Sequence, residues 1–180
     1  MCGFAGYLSI NIKPNKVLLT EMADKIDSRG PDSEGYWMDH NDFFGIGHKR
    51  LSILDISNAG NQPMVSDNSR YVLVFNGEIY NHINLREEIN KVKNILWRGS
   101  SDTETLLVGL SIWSIEEILA KLNGMFSFAF WDRHEKILTI ARDRLGQKPL
   151  YYGFVNESFL FGSQLKCFSG FPGWDKKMNK

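Results

Sequence analysis

"RYVLVFNGEIYN", residues 70–81, is the stretch on which the reading of the fold turns. Tyr71 to Phe75 is an apolar run rich in aromatic and β-branched residues, which predicts a strand. Asn76-Gly77 follows, a dipeptide strongly favoured in two-residue hairpin turns, and strand-like residues resume after it. The spacing therefore predicts a turn at Asn76-Gly77. A second reading of the same pair stays open. A side-chain amide followed directly by a backbone N–H sets two donors side by side, which is what an oxyanion hole needs.

Outward from this stretch the chain is a series of short apolar runs broken by Gly, Asn and Asp. "GMFSFAFWD" (124–132) alternates Phe126, Phe128 and Phe130 on one face, as a half-buried strand does. "CGFAGYLSI" (2–10) reads as the first strand, "ILTIARD" (137–143) as another, and "LYYGFV" with "FLFGS" as a hairpin around Asn156 and Glu157. Leu18, Leu19, Met22 and Ile26 recur at helical spacing. "SDTE" (101–104) and "SIEE" (114–117) fit the capping-box pattern of helix starts. Helices fall between runs of strands without alternating strictly with them, so the fold class is α+β, not a doubly wound parallel sheet. The last residues, "FSGFPGWDKKMNK", carry little pattern and read as a frayed tail or a linker.

A chain of 180 residues fits one domain with a sizeable core. Lys plus Arg equals Asp plus Glu at 21 each, so no global field favours nucleic acid or an anionic membrane. No apolar run is long enough to span a bilayer, and the N-terminus lacks a signal-peptide pattern. With only Cys2 and Cys167, a disulfide framework is not expected and a cytoplasmic setting fits. His40, His48, His82 and His134 lack metal-ligand spacing, so no metal site is expected.

Three further positions carry chemistry. Cys2 is either a small buried hydrophobe or, if Met1 is removed, a nucleophile with its own base. An α-amino group has a pKa of about 7.7 to 8.0, close enough to neutral to relay the thiol proton. Arg50, in "HKRLSILD", is either an ion-pair residue or a fork for a substrate carboxylate. Asp102 is either a residue of a helix cap or a partner for a substrate ammonium. Together with Asn76 and Gly77 they describe a pocket for an amino acid bearing a side-chain carbonyl.

The set "MCGFAG", "SRGPDSEG", "HKRLSILD", "NQPM", "FNGEIYN", "SDTETLL", "LNGMFSFAFWD" and "ARDRLGQKPLYYG" resembles the class II glutamine amidotransferase domain. More narrowly it resembles the N-terminal glutaminase domain of glutamine-hydrolysing asparagine synthetases. The resemblance runs in order from Cys2 to about Lys166. It implies an N-terminal-nucleophile hydrolase fold, a four-layer αββα sandwich of two mainly antiparallel sheets. It implies Cys2 as nucleophile, Asn76 and Gly77 as oxyanion donors, and Arg50 on the glutamine α-carboxylate with backbone help from Leu51 and Ile53. Glu78 and Asp102 would line the amino end. Arg29, Asp32 and "RDRLGQKPLYY" are expected to be scaffolding or contacts to a partner domain.

The expected domains are residues 1–166 as the glutaminase and 167–180 as a tail or linker to an absent ATP-dependent synthetase domain. No "SGGxDS" pyrophosphate loop or Walker-type loop occurs, and Gln164 stands where the family usually has Glu. No cofactor is expected in this chain, with ATP and magnesium belonging to the synthetase domain. The expected partners are glutamine and that domain, without nucleic acid or membrane, and homodimer formation is left open. Two other readings stand beside this one: an amidotransferase serving a different acceptor, and a glutamine-binding regulatory module with little turnover.

Overall fold

The computed structural model describes residues 1–175, and the end of the expected tail, 176–180, lies outside the described residues. Contacts divide the chain into two compact units, Met1–Leu51 with Pro149–Lys180 and Ser52–Lys148.

In the first unit the opening apolar run forms β1 (Gly3–Ser9), followed by α1 (Lys16–Asp24), β2 (Ser33–Asp39) and β3 (Phe44–Arg50). The end of the chain adds β8 (Tyr151–Val155) and β9 (Ser158–Gly162), giving an antiparallel sheet in the order β2-β3-β1-β9-β8. The hairpin expected at Asn156 is present, with Asn156 in the left-handed region at φ 51°. Asn15 caps α1 by accepting from the Leu18 N–H at 2.9 Å. Leu18, Leu19 and Met22 of α1, with Ile26 just beyond it, pack with Ala5, Tyr7 and Leu160 of the sheet. The segment Leu165–Gly170 forms a 3₁₀ turn that adds Cys167 and Phe168 to this core, and Phe171 follows them. Gly170 sits so close to α1 that a Cβ there would stand 2.7 Å from the Glu21 carbonyl carbon. The opposite face carries Phe4, Phe44 and Phe161, with Phe44 stacked on Phe161 at 6.1 Å.

The second unit contains β4 (Met64–Val65), β5 (Tyr71–Ile79), α2 (His82–Val92), α3 (Asp102–Ile112), α4 (Ile115–Lys121), β6 (Gly124–Asp132) and β7 (Ile137–Arg142). Its antiparallel sheet runs β4-β5-β6-β7. Leu73, Phe75 and Ile79 share a face with Phe126, Phe128 and Phe130, and this face packs with Leu85 of α2, Leu106, Leu107 and Leu110 of α3, and Ile118 of α4.

The expected turn at Asn76-Gly77 is not there. Strand β5 runs through the pair, and its ladder with β6 continues unbroken as Asn76↔Ser127, Gly77↔Phe126 and Glu78↔Met125. Nine consecutive paired positions and a shared aromatic face outweigh a local turn preference. The glycine is needed for another reason: a Cβ on Gly77 would lie 2.2 Å from the Met125 carbonyl oxygen.

The two helix starts hold in different ways. Ser114 and Glu117 form the full capping box. Ser101 caps α3 through the Thr103 N–H, but Glu104 turns away and accepts from the Arg98 and Gly99 N–H groups at 2.8 and 3.1 Å. Helix α2 has no clear signature in the sequence, since only Leu85 and Ile89 of its eleven residues are buried. No helix among the described residues is long and apolar enough to cross a membrane.

Candidate active site

Cys2 immediately precedes β1, whose position is fixed by two reciprocal bonds with Ser163. Its hydroxyl accepts from the Phe4 N–H at 3.0 Å, and its own N–H donates to the Phe4 carbonyl at 2.9 Å. The Cys2 thiol lies against the end of β3, with Sγ 3.3 Å from the Leu51 N–H nitrogen and 3.4 Å from its carbonyl oxygen. Arg50 is buried at the last position of β3, and its carbonyl accepts from the Asp32 N–H at 3.0 Å. Within this unit, Cys2, Arg50 and Leu51 are thus brought together.

Arg29 lies beside them, where the sequence suggested scaffolding or a contact to a partner domain. Its Nε donates to the Cys2 carbonyl at 2.9 Å, and its stem covers Gly3, where a Cβ would meet Arg29 Cδ at 2.9 Å. Nη2 is buried without a hydrogen-bond partner among the described residues. Burial lowers the guanidinium pKa, and the nearby Cys167 and Cys2 sulfurs oppose that shift. Gly30 presses this loop onto β3, since a Cβ there would stand 2.3 Å from the Lys49 carbonyl. Lys49 completes the clamp, its ammonium reaching Asp24 at 2.8 Å, Asp27 at 3.1 Å and Glu34 at 2.6 Å. Burial disfavours the Lys49 charge, but the three carboxylates more than reverse this and hold its pKa above the ordinary lysine value.

In the second unit Asn76 is 1% exposed, and its Nδ2 finds no hydrogen-bond partner among the described residues. Leaving a buried donor unsatisfied costs about 1–3 kcal/mol, so such groups are rare without a use. Gly77 adds a second donor by register. Its partner Phe126 directs both backbone groups to β7: its N–H donates to Asp143 Oδ2 at 3.1 Å and its carbonyl accepts from the Asp143 N–H at 2.8 Å. Gly77 therefore occupies a non-hydrogen-bonded pair of the β5–β6 ladder, and its N–H points to the far edge of β5.

The same edge carries the N–H groups of Phe75 and Ile79. Gln62 Oε1 accepts the first at 2.6 Å, and Asp102 Oδ2 accepts the second at 2.9 Å. Asp102 lies at the start of α3, 5% exposed. Burial pushes its carboxyl up to about 6, the Ile79 and Thr103 N–H groups pull it down, and the Glu78 charge adds to the rise. Glu78, half-buried on β5, lies within electrostatic reach of Asp102, so Asn76, Gly77, Glu78 and Asp102 fall in one part of this unit. Ile53 stands 68% exposed in the loop before Asp55. Asp55 ties that loop to the approach to α3 by accepting from the Ser57 N–H at 2.8 Å and the Ser100 N–H at 2.9 Å.

Arg86 of α2 is a residue the sequence did not reveal. It donates to Thr105 Oγ1 and to the Gly99 and Ser101 carbonyls, each at 2.8 Å, and stacks on Trp97 at 4.1 Å. It thereby holds the turn that delivers Asp102. Its donors converge from a helix that spacing alone did not mark. The "RDRLGQK" segment acts as scaffold, with Asp143 accepting from the N–H groups of Phe126, Gln147 and Lys148.

Solved structures give the fold. The chain has the fold of the glutamine phosphoribosylpyrophosphate amidotransferase from B. subtilis, with a TM-score of 0.77 at 20% identity over 93% of this chain and 43% of that one. The chain belongs to the glutamine amidotransferase domain family, whose model matches residues 1–180. It is 41% identical over 170 residues to asparagine synthetase [glutamine-hydrolyzing] 1 of Bacillus subtilis, covering 92% of this chain and 26% of that protein. It is 39% identical over 176 residues to asparagine synthetase [glutamine-hydrolyzing] 3 of the same organism, covering 96% and 28%. The chain thus spans about a quarter of the length of these relatives.

Proposed function

We propose that this chain hydrolyses the side-chain amide of glutamine to glutamate and ammonia, and that the ammonia serves a synthetase domain of the asparagine synthetase type. The observation that carries the reading is the buried, unpartnered amide nitrogen of Asn76 next to the off-ladder N–H of Gly77. Two fixed donors in a dry setting are suited to a tetrahedral oxyanion and to little else. Family membership supports assigning them to one reaction with Cys2, Arg50 and Asp102.

Met1, 56% exposed, is first removed, which frees the Cys2 α-amine. The Cys2 sulfur attacks the amide carbon, and the carbonyl oxygen becomes an oxyanion held by Asn76 Nδ2 and the Gly77 N–H. The α-amine carries the thiol proton to the departing nitrogen, the C–N bond breaks, and ammonia leaves a γ-glutamyl thioester. Water, deprotonated by the same amine, adds to the thioester, and glutamate departs as the thiol reforms. Arg50 takes the substrate α-carboxylate with the backbone of Leu51 and Ile53, while Asp102 and Glu78 take the α-ammonium. A site built for both groups rejects amides lacking either, because Arg50 or Asp102 would be left without its partner.

Each of these steps uses only the chain's own residues. ATP and magnesium are assigned to the synthetase domain, which the lengths of the relatives support. Cytoplasmic residence suits a reaction that depends on a reduced thiol. Glutamate release from glutamine by the chain lacking Met1, lost on Cys2→Ala, is the expected result. Binding of glutamine without turnover would overturn the reading.

A further inference from the structure

We propose that Gln62 is a positioning residue of the oxyanion donors, acting as a side-chain substitute for a missing length of strand β4. This rests on the glutaminase reading above and names a part of its machinery outside the residues that the family resemblance assigns.

Strand β4 is only two residues long and pairs Met64 with Leu73 and Val65 with Val72. Continued by two residues, that register sets Gln62 opposite Phe75. Pro63 intervenes, and the chain before Met64 is no longer strand, so no backbone acceptor of β4 is paired with β5 there. The Gln62 side chain supplies one instead: Oε1 accepts the Phe75 N–H at 2.6 Å. Its other end, Nε2, donates to Thr103 Oγ1 at 3.4 Å, one residue past Asp102 on α3. Gln62 and Thr103 are 8% and 3% exposed, so both contacts are made out of water.

The edge of β5 then reads as three N–H groups in a row. Phe75 is capped by Gln62 and Ile79 by Asp102, with Gly77 between them. Gln62 and Asp102 bracket the Gly77 donor, and both caps are tied to the first turn of α3. A strand edge held on each side of one N–H cannot twist without breaking a buried hydrogen bond. That rigidity fixes the direction of the Gly77 N–H and, one residue back, of the Asn76 side chain. Oxyanion donors contribute most when their orientation is set before the charge appears, and small misplacements carry large rate penalties.

The test uses the full 180-residue chain with Met1 removed, and measures kcat and KM for glutamine hydrolysis beside the rate of Cys2 alkylation by iodoacetamide. Alkylation is a displacement at carbon that forms no oxyanion. Gln62→Met keeps the volume and loses both hydrogen bonds. It is expected to lower kcat about 10- to 100-fold, with KM and alkylation rate each within about twofold. Gln62→Glu keeps an acceptor for the Phe75 N–H and should recover most of the lost kcat. Thr103→Val, which cuts only the other end, should give a smaller loss of the same kind. An unchanged kcat in Gln62→Met overturns the proposal. So does a fall in kcat matched by equal falls in alkylation rate and thermal midpoint, because that marks a structural role only. Should Gln62→Met not fold, Thr103→Val decides the matter by the same split. Absence of glutamine hydrolysis in the unsubstituted chain would instead overturn the parent reading.

Discussion

The surroundings of Cys2 and those of Asn76 are built on opposite plans. Around Cys2 the polar groups are tied, Arg29 Nη2 excepted: sulfur to Leu51, carbonyl to Arg29 Nε, and the adjoining strand end to a lysine gripping three carboxylates. Around Asn76 the frame is equally tied, through Gln62 and Asp102, but the donor at its centre is not. The first region's bonds hold the strand end in place. The second carries an unsatisfied buried donor, which on the proposed reading is relieved when a negative oxygen arrives. A buried donor without a partner is better evidence of chemistry than a well-bonded one.

The contrast can be broken at its strongest point first. Cys2→Ala should abolish glutamate release, a loss of at least about 10⁴-fold, with the thermal midpoint unchanged. Asn76→Ala should lower kcat by about 10² to 10³ while Cys2 alkylation proceeds at its usual rate. Asn76→Leu should lose activity equally yet unfold at the same or a higher denaturant midpoint, since it removes a buried unsatisfied donor. A clear loss of stability on Asn76→Leu would show that the amide has a structural partner after all.

At Lys49, in the first region, the effect should fall on stability. Lys49→Met removes the one buried ammonium that Asp24, Asp27 and Glu34 share, and about 2 kcal/mol of unfolding free energy should go with it. The partners are about half-exposed and can return to water, which keeps the loss from being larger. The Glu34 carboxyl, held below its ordinary range first by the Lys49 hydrogen bond, adds stability above its usual pKa that is lost as pH falls through the lowered value. Urea unfolding at two pH values checks both statements.

The smallest and most specific effect is on pH. Asp102 is raised from 3.8 to about 6, chiefly by burial. On the proposed reading its charged form binds the substrate ammonium, so KM for glutamine should rise as pH drops below about 6, by up to about tenfold per unit. The folding sign is opposite. A carboxyl raised on folding favours the native state most below its unfolded pKa, and this contribution is lost as pH climbs to about 6. Asp102→Asn should raise KM at neutral pH and flatten both dependences.

Much of this was legible in the sequence, and the exceptions have physical reasons. The α+β class, β1, α1, the Phe126-Phe128-Phe130 face and the Asn156 hairpin follow from periodicity and turn chemistry alone. Asn76-Gly77 misled as a turn because a local preference says nothing about a nine-pair ladder with β6. Helix α2 carries too few buried residues to declare itself. Arg29, Gln62 and Arg86 were invisible as site residues because their partners lie 27, up to 41 and up to 19 positions away. No spacing rule links an arginine to the carbonyl of the second residue of the chain.

The most direct measurement of the central claim is the intact mass of the chain after rapid mixing with glutamine and acid quench. The expected species has lost Met1 and carries one γ-glutamyl group, which fragmentation places on Cys2. Glutamate formed by a chain that still carries Met1, or an acyl group on any other residue, would contradict it.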